Sequence, residues 1–193
     1  MIQCLHRRAT ALLAVTVLGA PQLLAAAPPS GPVTRTDVTR DGSAVQVRST
    51  IEAPAGVELC YAVLVDFDRL AEFIPGMQSS RIVSAPGEPL LLRQVGTATA
   101  GLSTLAFDVT LAVAVEPLRW ITFERVAGNL EQMTGSWRVR GDVAHCVIDY
   151  QAVLEPAFWV PPLVGPLLIR RKVEQQVDGL AAEIVRRARD GQP

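Results

Sequence analysis

The side chains that could carry out chemistry are few and widely separated in this sequence. Asp66 and Asp68 form the closest candidate for a pair of carboxylates, and paired carboxylates can act as general acid and base. Both also come just before a short helical pattern over residues 69–73, and Asp is a favoured N-cap residue. We therefore predict that these two aspartates end one helix and cap the next, and we assign no catalytic residue.

Other catalytic and metal-binding patterns lack their parts. His145 is the only histidine after residue 27, so a metal site with several histidine ligands cannot be assembled, and a Ser-His-Asp system would depend on this one residue beside a predicted turn. Gly135-Ser136-Trp137 leads into a strand pattern, whereas a nucleophile elbow leads into a helix. No glycine-rich loop joins a strand to a helix, which leaves phosphate or dinucleotide binding without support. The sequence predicts no metal and no cofactor.

Aromatic side chains are the remaining candidates, and they favour an apolar binding site. Ligand pockets are mostly apolar with few polar groups, although packing in the core explains the same aromatic residues. Tyr150 adds a hydroxyl that needs a partner when buried, and Arg93 is a polar anchor if its side chain points inward. We predict a ligand cavity lined by Phe107, Phe123, Trp137, Tyr150, Trp159, Val173, Val177 and Leu180.

Hydrophobic periodicity predicts the elements that position these residues. Residues 44–52 alternate as a half-buried strand does, and a helical pattern follows from Val57 to Val65. Six further strand patterns separated by turns follow, of which 105–115 is the clearest. A final helix of about twenty residues carries one apolar stripe. Its members are Ile169, Val173, Val177, Leu180 and Ile184.

These elements predict an α+β fold. Short connections make the sheet antiparallel, and only the last helix is long enough to cover its apolar face. We expect a helix grip, in which a curved seven-stranded antiparallel sheet surrounds the long C-terminal helix. Gly179 lies inside that helix and costs about 1 kcal/mol relative to Ala. It therefore predicts that another stretch of backbone approaches the helix there.

The first 42 residues are predicted to lie outside this domain, which we place at residues 43–190. A basic start, an apolar run and small residues up to Ala27 are typical of a secretory signal peptide over residues 1–27. An uncleaved membrane anchor is the alternative, and Pro21 with the small residues favours cleavage. Residues 28–42 lack periodicity and predict a flexible arm. We expect an exported protein, periplasmic or associated with the cell envelope.

The net charge bears on nucleic-acid binding, and the cysteine content bears on disulfide formation. Without residues 1–27, Lys plus Arg falls from 18 to 16 against 19 acidic residues, so the formal net charge goes from −1 to −3. Nucleic-acid binding needs a basic surface, and none is expected. Cys60 and Cys146 remain, and export permits a disulfide between them. Cys60 falls on a predicted helix and Cys146 on the apolar side of a predicted strand, however, and we favour buried free thiols.

The apolar loop over residues 158–164 has three interpretations. It covers the end of the sheet, it makes transient membrane contact, or it docks a protein partner while the cavity is vestigial. In the second case Trp159 lies at interfacial depth, with Arg170, Arg171 and Lys172 near anionic headgroups. Simple coverage of the sheet end, followed by a solvated helix face, is the interpretation that we favour.

The order of these patterns resembles the START-like superfamily, also called SRPBCC, in its polyketide cyclase/dehydrase and coenzyme Q-binding branch. The resemblance spans residues 43–189 and implies a helix-grip fold with a deep hydrophobic cavity. Members bind lipids, quinones, sterols or polyketides, and some are cyclases. It is carried by Ile51-Glu52-Ala53-Pro54, Leu64-Val65-Asp66-Phe67-Asp68-Arg69-Leu70, Glu72-Phe73-Ile74-Pro75-Gly76-Met77, Gly128, Gly135-Ser136-Trp137, Tyr150, Pro156 and the final helix.

This resemblance implies cavity positions but no catalytic residue, because catalytic residues vary between branches. The leading hypothesis is an exported binding or transfer protein for a hydrophobic small molecule such as a lipid or quinone. The alternative is a polyketide cyclase or dehydratase in which Tyr150 or Arg93 polarises a substrate oxygen. That alternative requires at least two polar groups that point into the cavity.

Overall fold

The computed structural model describes residues 31–100, 103–157 and 165–191. The predicted signal peptide, Trp159 and the whole 158–164 loop lie outside these residues. The positions of Trp159 and of any membrane contact through Phe158 to Val164 therefore stay predictions.

Over the described residues the chain forms one curved sheet of eight antiparallel strands. The order across the sheet is β1-β2-β8-β7-β6-β5-β4-β3. This arrangement confirms the predicted α+β helix grip, with one strand more than the expected seven. The strands are β1 (Val33–Asp41), β2 (Ala44–Ala53), β3 (Met77–Ile82), β4 (Leu91–Ala100), β5 (Ser103–Glu116), β6 (Trp120–Gly128), β7 (Leu130–Gly141) and β8 (Cys146–Pro156).

Strand β1 corrects the prediction that residues 28–42 form a flexible arm. It pairs with β2 along its whole length, from Val33 opposite Glu52 to Asp41 opposite Ala44. As an edge strand it is exposed along much of its length, so the hydrophobic alternation that marks buried strands is weak. The signal that remained was its content of Val and Thr, which favour extended backbone.

Three helices cover the concave face of the sheet within the described residues. They are α1 (Val57–Val65), the short α2 (Leu70–Phe73) after a 3-10 turn (Phe67–Arg69), and the long α3 (Gly165–Asp190). The predicted stripe of α3 is confirmed, since Val177 and Ile184 are fully buried against the sheet. Each buried methylene contributes about 0.8 kcal/mol, so this stripe is a main attachment of α3.

Gly179 brings α3 close to the turn between α2 and β3, as predicted. A Cβ atom at this position would lie 2.6 Å from the carbonyl oxygen of Phe73 and 3.0 Å from Cδ of Pro75. Only glycine allows so close an approach without displacing the turn. The α2–β3 turn is therefore held directly against α3.

Asp66 ends α1, as predicted, but neither aspartate caps the next helical turn through its side chain, which corrects the second part of that prediction. Asp66 Oδ2 accepts a hydrogen bond from Arg187 Nη2 at 2.6 Å, and Asp68 Oδ1 accepts one from the backbone N–H of Ile82 at 2.9 Å. Arg187 lies on α3, 121 positions away from Asp66. The local sequence around Asp66 shows the preference of aspartate for helix caps. It cannot show a partner so distant along the chain.

Arg187 belongs to a buried ion network on α3. Its Nε donates to Glu183 Oε1 at 2.7 Å, and the two side chains are only 5% and 7% exposed. Hydrogen bonds from Arg186 and then from Arg187 lower the pKa of Glu183 to about 2. A carboxyl whose pKa is lowered by folding stabilises the fold above its unfolded pKa, and this contribution is lost as the pH falls towards 2.

We expect Glu183→Gln to lower the free energy of unfolding at pH 7 by about 3 kcal/mol, because it leaves the buried Arg187 short of a partner. The variant also loses less stability than the parent between about pH 4.5 and pH 2. Urea unfolding at several pH values measures both effects. The matched control is Glu174→Gln, whose ion pair with Arg170 is exposed and contributes less than about 1 kcal/mol. Equal losses in both variants would contradict the network's role.

Cys60 and Cys146 form a disulfide, which corrects the prediction of free thiols. Their Cα atoms lie 6.6 Å apart, and the bond joins α1 to β8 across 86 positions of sequence. Both side chains are fully buried, as expected. Periodicity shows that each cysteine faces the core, but it cannot show that the two meet there, and only their proximity permits the bond.

Replacing both cysteines, as in Cys60→Ala/Cys146→Ala, should lower the free energy of unfolding by about 4 kcal/mol, because the bond closes a long loop. Urea unfolding of protein that begins at residue 28 measures the loss. Reducing the parent protein should move its midpoint to that of the variant. Two reactive thiols in denatured, unreduced protein would contradict the bond.

Candidate ligand cavity

Two glycines shape the concave face of the sheet. Gly96 on β4 lies opposite Phe107 on β5, and Gly135 on β7 lies opposite Phe123 on β6. A Cβ atom at Gly96 would lie 2.6 Å from Cζ of Phe107, and one at Gly135 would overlap the Phe123 ring. Each ring therefore lies flat across the backbone of the neighbouring strand. This keeps two large side chains at the wall and leaves space above them.

The sheet and the helices enclose two adjoining chambers, which we call the inner and the outer chamber. The inner chamber has a volume of about 50 Å³ and the outer one about 110 Å³. The inner chamber is walled by residues that include Leu64, Phe67, Leu111, Phe123, Trp137 and Leu180. The outer chamber is walled by residues that include Met77, Phe107, Val109, Leu154, Ile169 and Val173.

Four side chains border both chambers, and three of them are polar. Gln94, Met133, Tyr150 and Gln176 form this partition. The ring of Tyr150 stacks on Trp137 at a centroid distance of 4.1 Å, and the residue is 3% exposed. Burial raises the pKa of Tyr150 far above its usual value, so its hydroxyl stays protonated and can donate a hydrogen bond.

The partition keeps hydrogen-bonding groups unused. The hydrogen bonds formed by the described residues include none from the Tyr150 hydroxyl or the Gln176 amide. Gln94 donates a long bond of 3.5 Å from Nε2 to Ser80 Oγ, which leaves its carbonyl oxygen free to accept another. Because these groups border the chambers and have donors and acceptors to spare, they are suited to a ligand with an oxygen near its middle.

The structure places six of the predicted cavity residues around the two chambers. Phe123, Trp137 and Leu180 line the inner chamber, Phe107 and Val173 line the outer one, and Tyr150 borders both. Val177 is fully buried in the core, and it lines neither chamber.

Arg93 does not point into the cavity, which corrects its role as a polar anchor. Its guanidinium lies on the outer face and forms a two-point contact with Asp108, at 2.7 Å and 3.0 Å. Successive side chains of a strand point to opposite faces, so the inward position belongs to the next residue, Gln94. The three leucines at 90–92 interrupt the alternation and hid the direction of Arg93 in the sequence.

Sequence analysis also missed the polar residues of α3 that reach the cavity. Gln176 lies three positions after Val173 and four before Leu180, so its place on the buried stripe was a signal. Lys172 lines the outer chamber, and its Nζ donates to the carbonyl oxygen of Pro75 at 2.7 Å. Burial lowers the pKa of Lys172 to about 8.

The titratable side chains that line the two chambers within the described residues are Tyr150 and Lys172. Among the described residues no histidine or carboxylate lines either chamber. The same residues contain no cluster of three His, Cys, Asp or Glu side chains that could hold a metal ion. Within the parts of the chain that the structure describes, no helix has the length and apolar character needed to cross a membrane.

Comparison with known families decides the assignment of the chain. Residues 53–181 match the family described as "Polyketide cyclase / dehydrase and lipid transport". The chain belongs to this family. Membership supports a helix-grip protein that binds a hydrophobic small molecule, in either lipid transport or polyketide cyclisation. A comparison with curated proteins finds no significant match.

Several solved structures share the fold. The Zhui aromatase/cyclase from Streptomyces sp. R1128 is 16% identical with a TM-score of 0.63, covering 78% of this chain and 99% of its own. A START superfamily protein from Mycobacterium smegmatis is 16% identical with a TM-score of 0.62, covering 73% and 97%. A STAR-related lipid transfer protein (fragment 25–204) from Xanthomonas axonopodis is 14% identical with a TM-score of 0.60, covering 82% and 96%.

Gly135→Ala should lower the free energy of unfolding of this protein by about 1–3 kcal/mol. The added methyl group overlaps the Phe123 ring and the carbonyl group of Gln151. Urea unfolding measures the loss. Gly31→Ala is the control, since no atom lies within 4 Å of the added methyl, and its stability should be unchanged.

A second substitution tests whether the ring is part of the cause. Adding Phe123→Leu to Gly135→Ala removes the ring and should recover part of the loss, so the two substitutions are not additive. Strict additivity would show that Phe123 does not depend on the glycine.

Proposed function

We propose that this protein is an exported carrier that binds one amphipathic, largely apolar molecule across the two chambers. The observation that carries the proposal is the partition, in which Gln94, Tyr150 and Gln176 present unused polar groups inside apolar walls. Buried apolar area supplies most of the affinity, at about 25 cal/mol per Å². The partition then selects ligands that place an oxygen between two apolar parts.

Binding requires the two chambers to merge. Their volumes of about 50 and 110 Å³ lie below the 300–1,000 Å³ of pockets that hold drug-sized ligands, even when they are taken together, so the merged cavity must also expand. Met133 borders both chambers, and a methionine side chain adapts readily to a new packing partner. The amides of Gln94 and Gln176 turn with it towards the ligand. Ligand entry thus opens the partition and displaces the side chains around it.

A carrier fits the chemistry of the cavity better than an enzyme does. A cyclase needs a group that takes or gives a proton, and the raised pKa of Tyr150 keeps its hydroxyl a donor. No histidine or carboxylate of the described residues lines the chambers, which leaves Lys172, whose pKa burial lowers to about 8, as the one candidate base among them. A cavity that holds a flexible substrate in a conformation ready to react could still accelerate ring closure, because positioning alone lowers the barrier.

The polyketide cyclase or dehydratase remains the second candidate, because its requirement for at least two inward polar groups is met. Gln94, Tyr150 and Gln176 all border the chambers. In that case Tyr150 would donate to a substrate carbonyl and stabilise the charge that develops on its oxygen. A product of altered mass, formed from a bound polyketide-like substrate, would favour this candidate over the carrier.

Export is supported by two independent features. The first 27 residues have the layout of a secretory signal peptide. The buried bond between Cys60 and Cys146 is of the kind that forms and persists in oxidising compartments. We propose the periplasm or the cell envelope as the location, with envelope lipids or similar apolar compounds as the ligand pool.

Native mass spectrometry of protein purified from the exported fraction of its host tests the proposal. We expect one bound apolar molecule per protein, and a protein mass that corresponds to cleavage after Ala27. Extraction and chromatography then identify the molecule. Protein that is reproducibly empty and takes up no fatty acid, quinone or phospholipid would contradict the carrier. A mass that retains residues 1–27 would contradict cleavage but not binding.

Tyr150→Phe tests the partition itself. It should weaken binding of the co-purified molecule about fivefold, since one hydrogen bond is worth about 1 kcal/mol. Stability should be unchanged, because no partner of the hydroxyl within the described residues is lost. Tyr61→Phe on α1 is the control, as Tyr61 lines neither chamber. If both variants bind the molecule with equal affinity, the Tyr150 hydroxyl does not contribute to binding and the proposed role of the partition is wrong.

A further inference from the structure

Lys172 is the only lysine in the sequence, where the other 17 of the 18 basic residues are arginines. This single amine lies on α3 at the wall of the outer chamber, where it is half buried. An arginine spreads its charge over a large planar fork, whereas a lysine presents a compact charge on a flexible stem. A compact cation therefore lies at the wall of the outer chamber, partly exposed and partly buried.

The ammonium group of Lys172 is held in place with part of its bonding capacity unused. It donates one hydrogen bond to the carbonyl oxygen of Pro75 at 2.7 Å, and it lies 5.4 Å from the centroid of the Phe107 ring. Gly76 leaves room for it, since a Cβ atom there would lie 3.1 Å from Nζ. An ammonium has three donors, so two remain for a ligand in the chamber.

No acidic side chain of the described residues forms an ion pair with this ammonium group. The carboxylates on the neighbouring elements are engaged elsewhere or lie on the outer face. Asp108 on β5 binds Arg93 outside, Glu174 on α3 binds Arg170, and Asp178 on α3 accepts from Thr34. The charge of Asp37 on β1 interacts electrostatically with Arg170. Glu155 on β8 comes directly after Leu154, whose side chain points into the chamber, so the side chain of Glu155 points outward. Tyr150 on β8 stays neutral.

A second cation faces the same concave surface. Arg125 on β6 is the register partner of Leu111, which is buried on the inner face, so the two side chains share that face. Its Nε is enclosed by the protein and has no hydrogen-bond partner. The inner face thus carries positive charge in an apolar setting, where charges interact more strongly than in water.

We propose that the ligand is an amphipathic carboxylate whose head group binds Lys172 at the outer chamber while its apolar part fills both chambers. This inference rests on the proposed carrier function and names the chemical class of its cargo. One compact ammonium with two free donors matches a single carboxylate. A phosphate monoester carries nearly two negative charges at pH 7, which is more than this one ammonium group can neutralise.

The geometry dictates how the pH acts on binding. Burial lowers the pKa of Lys172 to about 8 in the free protein, and a bound carboxylate favours the charged amine and raises that pKa. Binding of the carboxylate therefore takes up a proton above pH 8, and the affinity falls as the pH rises beyond that value. Below pH 8 the amine is already charged and the affinity is constant, as long as the ligand stays ionised.

Calorimetric titration with chain-matched ligands tests the inference. Octanoate and octanol, then decanoate and decanol, are bound to the parent protein at pH 7. We expect each carboxylate to bind about tenfold more tightly than its alcohol. In Lys172→Met, which keeps the apolar stem, this preference should disappear while the alcohols bind as before. The control Arg171→Met removes the exposed neighbouring cation and should keep the preference.

The single lysine also gives a direct spectroscopic signal. Protein labelled with ¹³C at lysine Cε yields one lysine resonance, which should titrate near pH 8 and shift to higher pH by at least one unit with saturating decanoate. An unchanged titration, or equal binding of carboxylate and alcohol, would overturn the inference and leave the carrier standing. Failure of every carboxylate and every alcohol to bind would count against the carrier itself.

Discussion

One helix has to cover the concave face of an eight-stranded sheet, and it is too narrow to fill it. Strands lie about 4.8 Å apart, so eight of them span about 34 Å, whereas a helix with its side chains is about 10–12 Å across. The short elements α1 and α2 cover one further part of the face. The space left between them, α3 and the sheet is the pair of chambers. The cavity is therefore a consequence of the fold.

The two ends of α3 serve different purposes. Its C-terminal half is fixed by the ion network of Glu183 and Arg187 with Asp66, by the close approach at Gly179, and by the fully buried Val177 and Ile184. Its N-terminal half carries Ile169, Lys172 and Val173 over the outer chamber. A helix anchored at one end can tolerate incomplete packing at the other. The binding groups thus lie on a positioned element beside space that a ligand can fill.

Sequence periodicity predicted the parts of the structure that depend on burial. The stripe of α3 and the inward face of β8 follow from it, because buried positions recur with the period of each element. Trp137 and Tyr150 were placed at the cavity for the same reason, aided by the family resemblance. The edge strand β1 was missed because exposed strands carry little hydrophobic alternation.

Contacts between distant positions could not be predicted from periodicity. The pairing of Cys60 with Cys146 and that of Asp66 with Arg187 depend on which faces meet in the folded chain. The direction of Arg93 depends on a one-residue choice of strand face, which the leucines before it obscured. Lys172 was treated as part of a solvated basic run, although its being the only lysine in the sequence set it apart.

The central claim is that a single ligand fills the space between α3 and the sheet. Methyl-labelled protein with a bound apolar ligand allows the most direct measurement, through nuclear Overhauser effects between ligand protons and individual methyl groups. The account predicts contacts from one ligand to Leu111 on the sheet and to Val173 and Leu180 on α3 at the same time. Contacts confined to exposed residues such as Val83 or Val126, with none to these three, would contradict it.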